Sequence, residues 1–156
     1  MMRSTFHLPL ASDGRTVRRL KSGFIMARLF TAYIVLALLK YLVPLKLLVR
    51  WVWCPPVGLR NNEAERWLTA TVFRLSRLTG LPDRDCLQRS LLLYHVLSRA
   101  GADPTLVIGF QRVDGQIRGH AWVVVDGCAL LESESDLVRF SPALLFGSQG
   151  VLLGSA

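Results

Sequence analysis

The sequence predicts an α+β domain in which a central helix, beginning at a cysteine, packs on a small antiparallel sheet behind basic, apolar N-terminal helices. Three observations predict it. Residues 14–100 are helical in character, with apolar side chains recurring at three-and-four spacing. After Gly101 and Pro104 the pattern changes to short apolar runs of strand type. Those runs are separated by Asp114-Gly115 and Asp126-Gly127, dipeptides that favour two-residue hairpin turns.

Residues 1–14 read as a flexible tail, residues 15–58 as a basic apolar lead-in, and residues 59–156 as the domain proper. Gly14 to Trp53 is helical with a break at Val43-Pro44, because proline disfavours helix in its predecessor. Cys54-Pro55-Pro56-Val57-Gly58 is a linker or sharp turn. Asn62 can cap a second helix, with Glu63 and Glu65 in its first turn, that runs to Leu78 and stops at Gly80. Its inward face is read as Trp67, Ala70, Thr71, Arg74 and Leu78, widened by Leu68, Val72, Phe73 and Leu75. A third helix, about Asp85 to Ala100, is apolar broadly enough to be central, and Gly101 caps it. Strands follow at Thr105–Phe110, Gln116–Val125 and Cys128–Glu132. Ala121 to Val125 is apolar on both faces, so that strand should be covered on both. Phe140 to Leu153 adds a helical turn or an edge strand.

The 156 residues suffice for one domain, and the net charge of +8 lies mostly in the first half. Such a half suits an acidic peptide, an acidic partner or an anionic membrane surface. No helix-turn-helix, zinc-finger or RNA-recognition signature is visible, so nucleic acid is not an expected partner. Three cysteines at irregular spacing, with no CxxC pair, argue against a disulfide framework and a structural zinc, and for a reducing, cytoplasmic compartment. The polar start is unlike a signal peptide. In Phe24–Trp53 the longest uncharged run, Leu29–Leu39, falls short of the ~20 residues a spanning helix needs. An interfacial or partner-docked helix, with inner-membrane contact as one form, fits better than a span.

Cys86 falls in the first turn of the third helix, where free N–H groups and the helix dipole favour a thiolate. Asp83 and Asp85 oppose this, and Arg84 and Arg89 offset them in part. His7 is in the tail. His95 is nine residues along the same helix, hence ~13 Å away at 1.5 Å per residue, and reads as a helix-surface or satisfied core histidine. His120, entering the apolar strand, is the one base within reach. The acid that would orient it is open among Glu132, Asp126, Glu134 and Asp136. A one-residue bulge in the 126–127 turn sets Glu132 opposite His120, whereas a plain two-residue turn sets Ser133 there. Trp122 shares a face with His120, where it can shield the imidazole, line a groove or fill the core. The N–H of Cys86 is the expected oxyanion donor, with Gln88 as a second candidate. Cys54 and Cys128 read as structural, and no metal or organic cofactor is required.

Cys86-Leu87-Gln88-Arg89-Ser90-Leu91 with Leu93, Leu97 and Gly101, then Ile108-Gly109, then Gly119-His120-Ala121-Trp122-Val123 and Val125-Asp126-Gly127, closely resembles the B-type leader peptidases of lasso peptide biosynthesis. These belong to the transglutaminase-like cysteine protease superfamily. The resemblance covers roughly residues 60–145 and implies a papain/transglutaminase-like fold. It implies removal of the leader from a ribosomally made precursor peptide, before a separate ATP-using, asparagine-synthetase-like cyclase closes the macrolactam. It makes Cys86 the nucleophile and His120 the general base and acid. The family's third member is normally aspartate, and here that position is Glu132. The chain is similar to the stand-alone form, which borrows a small separate leader-recognition protein. Two other functions fit the same residues: a membrane-apposed scaffold of the maturation complex with a weak thiol site, and acyl transfer to an amine.

Overall fold

A computed structural model describes residues 14–78 and 86–155, with side chains for 23–78 and 86–154. The expected tail up to residue 13, the Gly80 stop, and Asp83, Arg84 and Asp85 lie outside the described residues. The chain runs through α1 (Gly14–Leu42), α2 (Leu45–Val52), α3 (Asn62–Leu78), α4 (Cys86–Arg99), β1 (Thr105–Val113), β2 (Gln116–Val125), β3 (Cys128–Leu130), α5 (Glu134–Leu137), β4 (Ser141–Phe146), a 3-10 turn (Ser148–Gly150) and β5 (Leu152–Ser155). The five strands form one antiparallel sheet in the order β3-β2-β1-β4-β5. This is the expected α+β, papain/transglutaminase-like architecture.

Helix α4 is the hub. Leu91, Leu92, Leu93, Tyr94 and Leu97 are all buried, because α4 meets the sheet on one side and α1, α2 and α3 on the others. Apolar burial on every side is what fixes its position, at roughly 1.5–3 kcal/mol per fully buried aliphatic side chain. Polar contacts set its rotation. Ser90 Oγ donates to the Ala121 carbonyl of β2 at 2.8 Å, and Gln88 Nε2 donates to the Tyr33 carbonyl of α1 at 2.7 Å. At its far end Gly101, with φ of +87°, closes the helix: Ala102 N–H reaches the Leu97 carbonyl and Gly101 N–H the Ser98 carbonyl, each at 3.1 Å.

The lead-in helices join the same core. Leu29, Tyr33 and Leu36 of α1 and Leu48, Val49 and Val52 of α2 are buried in one cluster with α4. His95 meets this layer, its Nδ1 lying 2.7 Å from the Val52 carbonyl, as a satisfied core histidine would.

Several local expectations need correction. Asn61, not Asn62, caps α3: its Oδ1 accepts from the N–H groups of Glu63 and Ala64. The cap accepts from N2 and N3, which counts back to 61. Helix α3 buries Thr71, Val72, Leu75 and Ser76, so its inward face is turned from the expected one and leaves Trp67, Arg74 and Leu78 exposed. Strand β1 extends to Val113, because the β1–β2 ladder continues to the pair Val113↔Gln116. Residues 140–153 hold two strands and the 3-10 turn rather than one element. Tyr94, buried in α4, organises that return: its hydroxyl donates to the Gly147 carbonyl at 2.5 Å and accepts from Gly150 N–H at 3.0 Å.

Candidate active site

Both hairpin turns are of the kind their sequences favour. Asp114-Gly115 and Asp126-Gly127 have positive φ at both positions, the type I′ geometry that matches strand twist. The second turn is therefore plain, pairing Val125 with Cys128 and Val123 with Leu130. No bulge forms there, and strict continuation would have set residue 133 opposite His120. Instead the ladder ends at Leu130, short of the expected Glu132. Leu131 takes φ of +65°, a left-handed conformation rare for a branched side chain, and the chain leaves the sheet. This kink delivers Glu132 to the imidazole: Glu132 Oε2 lies 3.4 Å from His120 Nε2.

Three side chains thus gather from three elements. Cys86 of α4 hydrogen-bonds His120 of β2, which faces Glu132 beyond β3. With Nε2 turned to the carboxylate, Nδ1 is the nitrogen left to share the sulfur's proton. Burial alone would raise the Cys86 thiol, but the His120 hydrogen bond, the Ala121 and Leu87 N–H groups and the imidazolium charge outweigh it and hold the thiol below its usual range. His120 is pushed up to about 9, by its hydrogen bond to Cys86 first and to Glu132 second, against partial burial. The two shifts are opposite halves of one state, a thiolate beside an imidazolium.

Arg89 completes the arrangement, and the sequence reading assigned it only a share in balancing nearby charge. Its Nη2 forms an ion pair with Glu132 Oε1, both side chains being about nine-tenths buried. The signal was its spacing, since the third residue after Cys86 lies on the same helix face. Glu132 therefore bridges a guanidinium and an imidazole, using one oxygen for each.

Aromatic rings clamp the imidazole. His120 stacks on Phe140 at 5.0 Å between centroids and on Trp122 at 6.0 Å. Trp122 thus shields His120. Gly109, paired with His120 across the ladder, makes room: a Cβ there would sit 2.8 Å from the Trp122 ring. Phe140 was expected only as the start of a terminal segment.

The remaining candidates lie elsewhere. Gln88 is buried toward α1, where its Nε2 donates to the Tyr33 carbonyl and its Oε1 accepts from Lys40 Nζ at 3.3 Å, so its amide is held against α1. Residues two apart on a helix face different ways. Asp126 pairs with Arg60 Nη2 at 2.6 Å, and Arg60 also holds Glu65, tying the turn to α3. Asp136 accepts from Ser133 Oγ, the cap of α5, and Glu134 is exposed in that helix's first turn. Cys54 is partly buried and Cys128 exposed, neither in a disulfide. Among the described residues no three His, Cys, Asp or Glu side chains gather as a metal site.

No curated protein and no solved structure matches the chain. A family comparison does: residues 32–145 match the transglutaminase-like superfamily, a span that begins within α1, includes Cys86, His120 and Glu132, and ends in β4. That span is well over half of the chain, and the chain belongs to the transglutaminase-like superfamily.

Proposed function

We propose that this protein is a cysteine peptidase that removes the leader from a ribosomally made lasso precursor before a partner cyclase closes the macrolactam. The observation that carries the peptidase part is the hydrogen-bonded series Cys86–His120–Glu132, with the thiol depressed and the imidazole raised. The choice of substrate rests on the sequence resemblance around Cys86 and His120.

In this reading the Cys86 thiolate attacks the carbonyl at the leader–core junction and forms a C–S bond. The oxyanion takes a hydrogen bond from the Cys86 N–H, at the N-terminal end of the described part of α4. His120 gives its proton to the leaving amine and the C–N bond breaks. The imidazole, now neutral, takes a proton from water, whose oxygen displaces the sulfur and frees the leader as an acid. Glu132 fixes the imidazole's orientation and favours its charged form, and Arg89 holds Glu132. A separate recognition protein presents the precursor.

The test incubates wild type and Cys86→Ala with precursor and recognition protein and follows products by mass spectrometry. Leader release with gain of one water by wild type, and none by the variant, is the expected result. Cleavage by Cys86→Ala at the normal rate would refute the assignment. Acyl transfer is the reading that superfamily membership leaves beside hydrolysis, and product mass separates them: a leader joined to an amine in place of water would decide for transfer. The scaffold reading was motivated by glutamate replacing aspartate and by the basic N-terminal helices; Glu132 reaching the imidazole weakens the first motive, and the second stands.

A further inference from the structure

The outward face of α1 is the least explained surface of this molecule. Over Gly23–Leu42 the mean hydropathy is 1.7, yet only 17% of that stretch is buried. One face is fixed inward by Leu29, Tyr33 and Leu36, with the Tyr33 carbonyl bonded to Gln88 of α4. The opposite face presents Phe30, Ile34, Leu38 and Tyr41 to solvent, Leu38 at 63% and Tyr41 at 80% exposure. Helix α2 adds Trp51 at 66%, flanked by exposed Lys46 and Arg50. A continuous apolar face of this kind marks an interaction site.

Charge says what covers it. Residues 14–53 hold eight Lys and Arg and no Asp or Glu, whereas the rest of the chain holds eleven of each sign (19 − 8 basic, 11 − 0 acidic). The entire net charge of +8 therefore belongs to α1, α2 and their junctions. Cations also sit on aromatic rings at both ends of the apolar stretch, Arg28 on Phe24 and Lys40 on Tyr41. Apolar residues with flanking cations, interfacial aromatics and no carboxylate suit an anionic bilayer surface better than a mixed-charge protein surface. Gly23–Leu42 is long and apolar enough to cross a bilayer, but crossing would strip Tyr33 and Leu36 from the core they share with α4.

We propose that α1 lies in the plane of an anionic membrane, its Phe30–Ile34–Leu38–Tyr41 face in the acyl boundary and its cations at the headgroups. The domain is thereby held at the lipid surface by the same helix that buttresses α4. This holds whatever bond Cys86 cleaves.

The experiment is sedimentation of the full chain with vesicles of phosphatidylcholine alone or mixed with phosphatidylglycerol. Each Lys or Arg near an anionic surface contributes about 1 kcal/mol, so two or more should favour the mixed vesicles by roughly tenfold or more. Added salt should reduce the difference. Leu38→Glu and Ile34→Glu should each cut binding several-fold while leaving the melting temperature unchanged, since both sites are exposed. Brominated lipid should quench wild-type fluorescence more than that of Trp51→Phe. Equal recovery in the supernatant with both vesicles would overturn the proposal, as would wild-type binding by Leu38→Glu. So would a soluble dimer, or a complex with the cyclase or recognition protein, that Leu38→Glu dissociates.

Discussion

Replacing Glu132 by Gln keeps the shape of the side chain and removes its charge, so it asks what the carboxylate does for the imidazole. His120 stands at about 9 against an ordinary 6.5, raised by its hydrogen bond to Cys86 first and to Glu132 second. A nearby opposite charge moves such a group by about 1–3 units. At the low end of that range the Glu132 part is about one unit, or about tenfold in the balance between charged and neutral imidazole. Cleavage needs a thiolate and a protonated imidazole together, so its pH profile is bell-shaped. The rising limb follows the depressed thiol, and the falling limb follows loss of the His120 proton near 9. In Glu132→Gln the falling limb should move down by roughly one pH unit, while the rising limb, set by His120 and the backbone N–H groups around Cys86, should move little. The assay is kcat/KM for precursor cleavage between acidic and alkaline pH. Iodoacetamide labelling of Cys86, mapped by mass spectrometry with exposed Cys128 as the internal reference, reports the rising limb alone. A variant whose two limbs coincide with wild type would show that Glu132 does not act on the imidazole's proton.

Four other outcomes follow from the geometry. Gly109→Ala places a methyl 2.8 Å from the Trp122 ring and 3.0 Å from the Ser141 carbonyl, so it should cost about 1–3 kcal/mol in denaturant unfolding and lower cleavage through the displaced His120 stack. Tyr94→Phe strips a buried hydroxyl from the Gly147 carbonyl and Gly150 N–H and should cost about 1–3 kcal/mol, with faster hydrogen exchange at Gly150 as the local sign. Asn61→Ala should cost about 1 kcal/mol by loss of the α3 cap, whereas Asn62→Ala should cost less, a pair that thermal melting distinguishes. The stability that His120 contributes has the sign of a raised pKa: present in full below 6.5 and lost as pH rises through about 9, so the melting difference between wild type and His120→Gln should shrink across that interval.

What the sequence disclosed followed local rules. Proline at 44, glycine at 101 and the two Asp-Gly turns act within a few residues, and all four appear where expected. The Cys86 and His120 meeting was legible because only one histidine could reach the helix start. What stayed hidden depended on contacts made at a distance. Strand propensity alone does not say that β3 stops at Leu130. The inward face of α3 was misread because Trp67 is apolar, and hydrophobicity does not reveal that α4 and the sheet are covered without it. Gln88 read as an oxyanion donor from proximity in sequence, but helix geometry points it at α1.

The glutamate in place of aspartate is best understood through Leu131 and Arg89 together. A plain type I′ turn would leave residue 132 out of step with His120, since neighbouring strand residues face opposite sides. Leaving the ladder at Leu130 removes that constraint, and the left-handed Leu131 lets residue 132 swing back. The detour fixes how far the carboxylate has to reach, and a glutamate has one methylene more for that purpose. Extra length brings extra rotamers, which would loosen the orientation of the imidazole if the carboxylate were free. Arg89 removes that freedom by holding the second oxygen from the helix that carries Cys86. Nucleophile and acid are thereby referenced to one rigid element, three residues apart, and the imidazole sits between them.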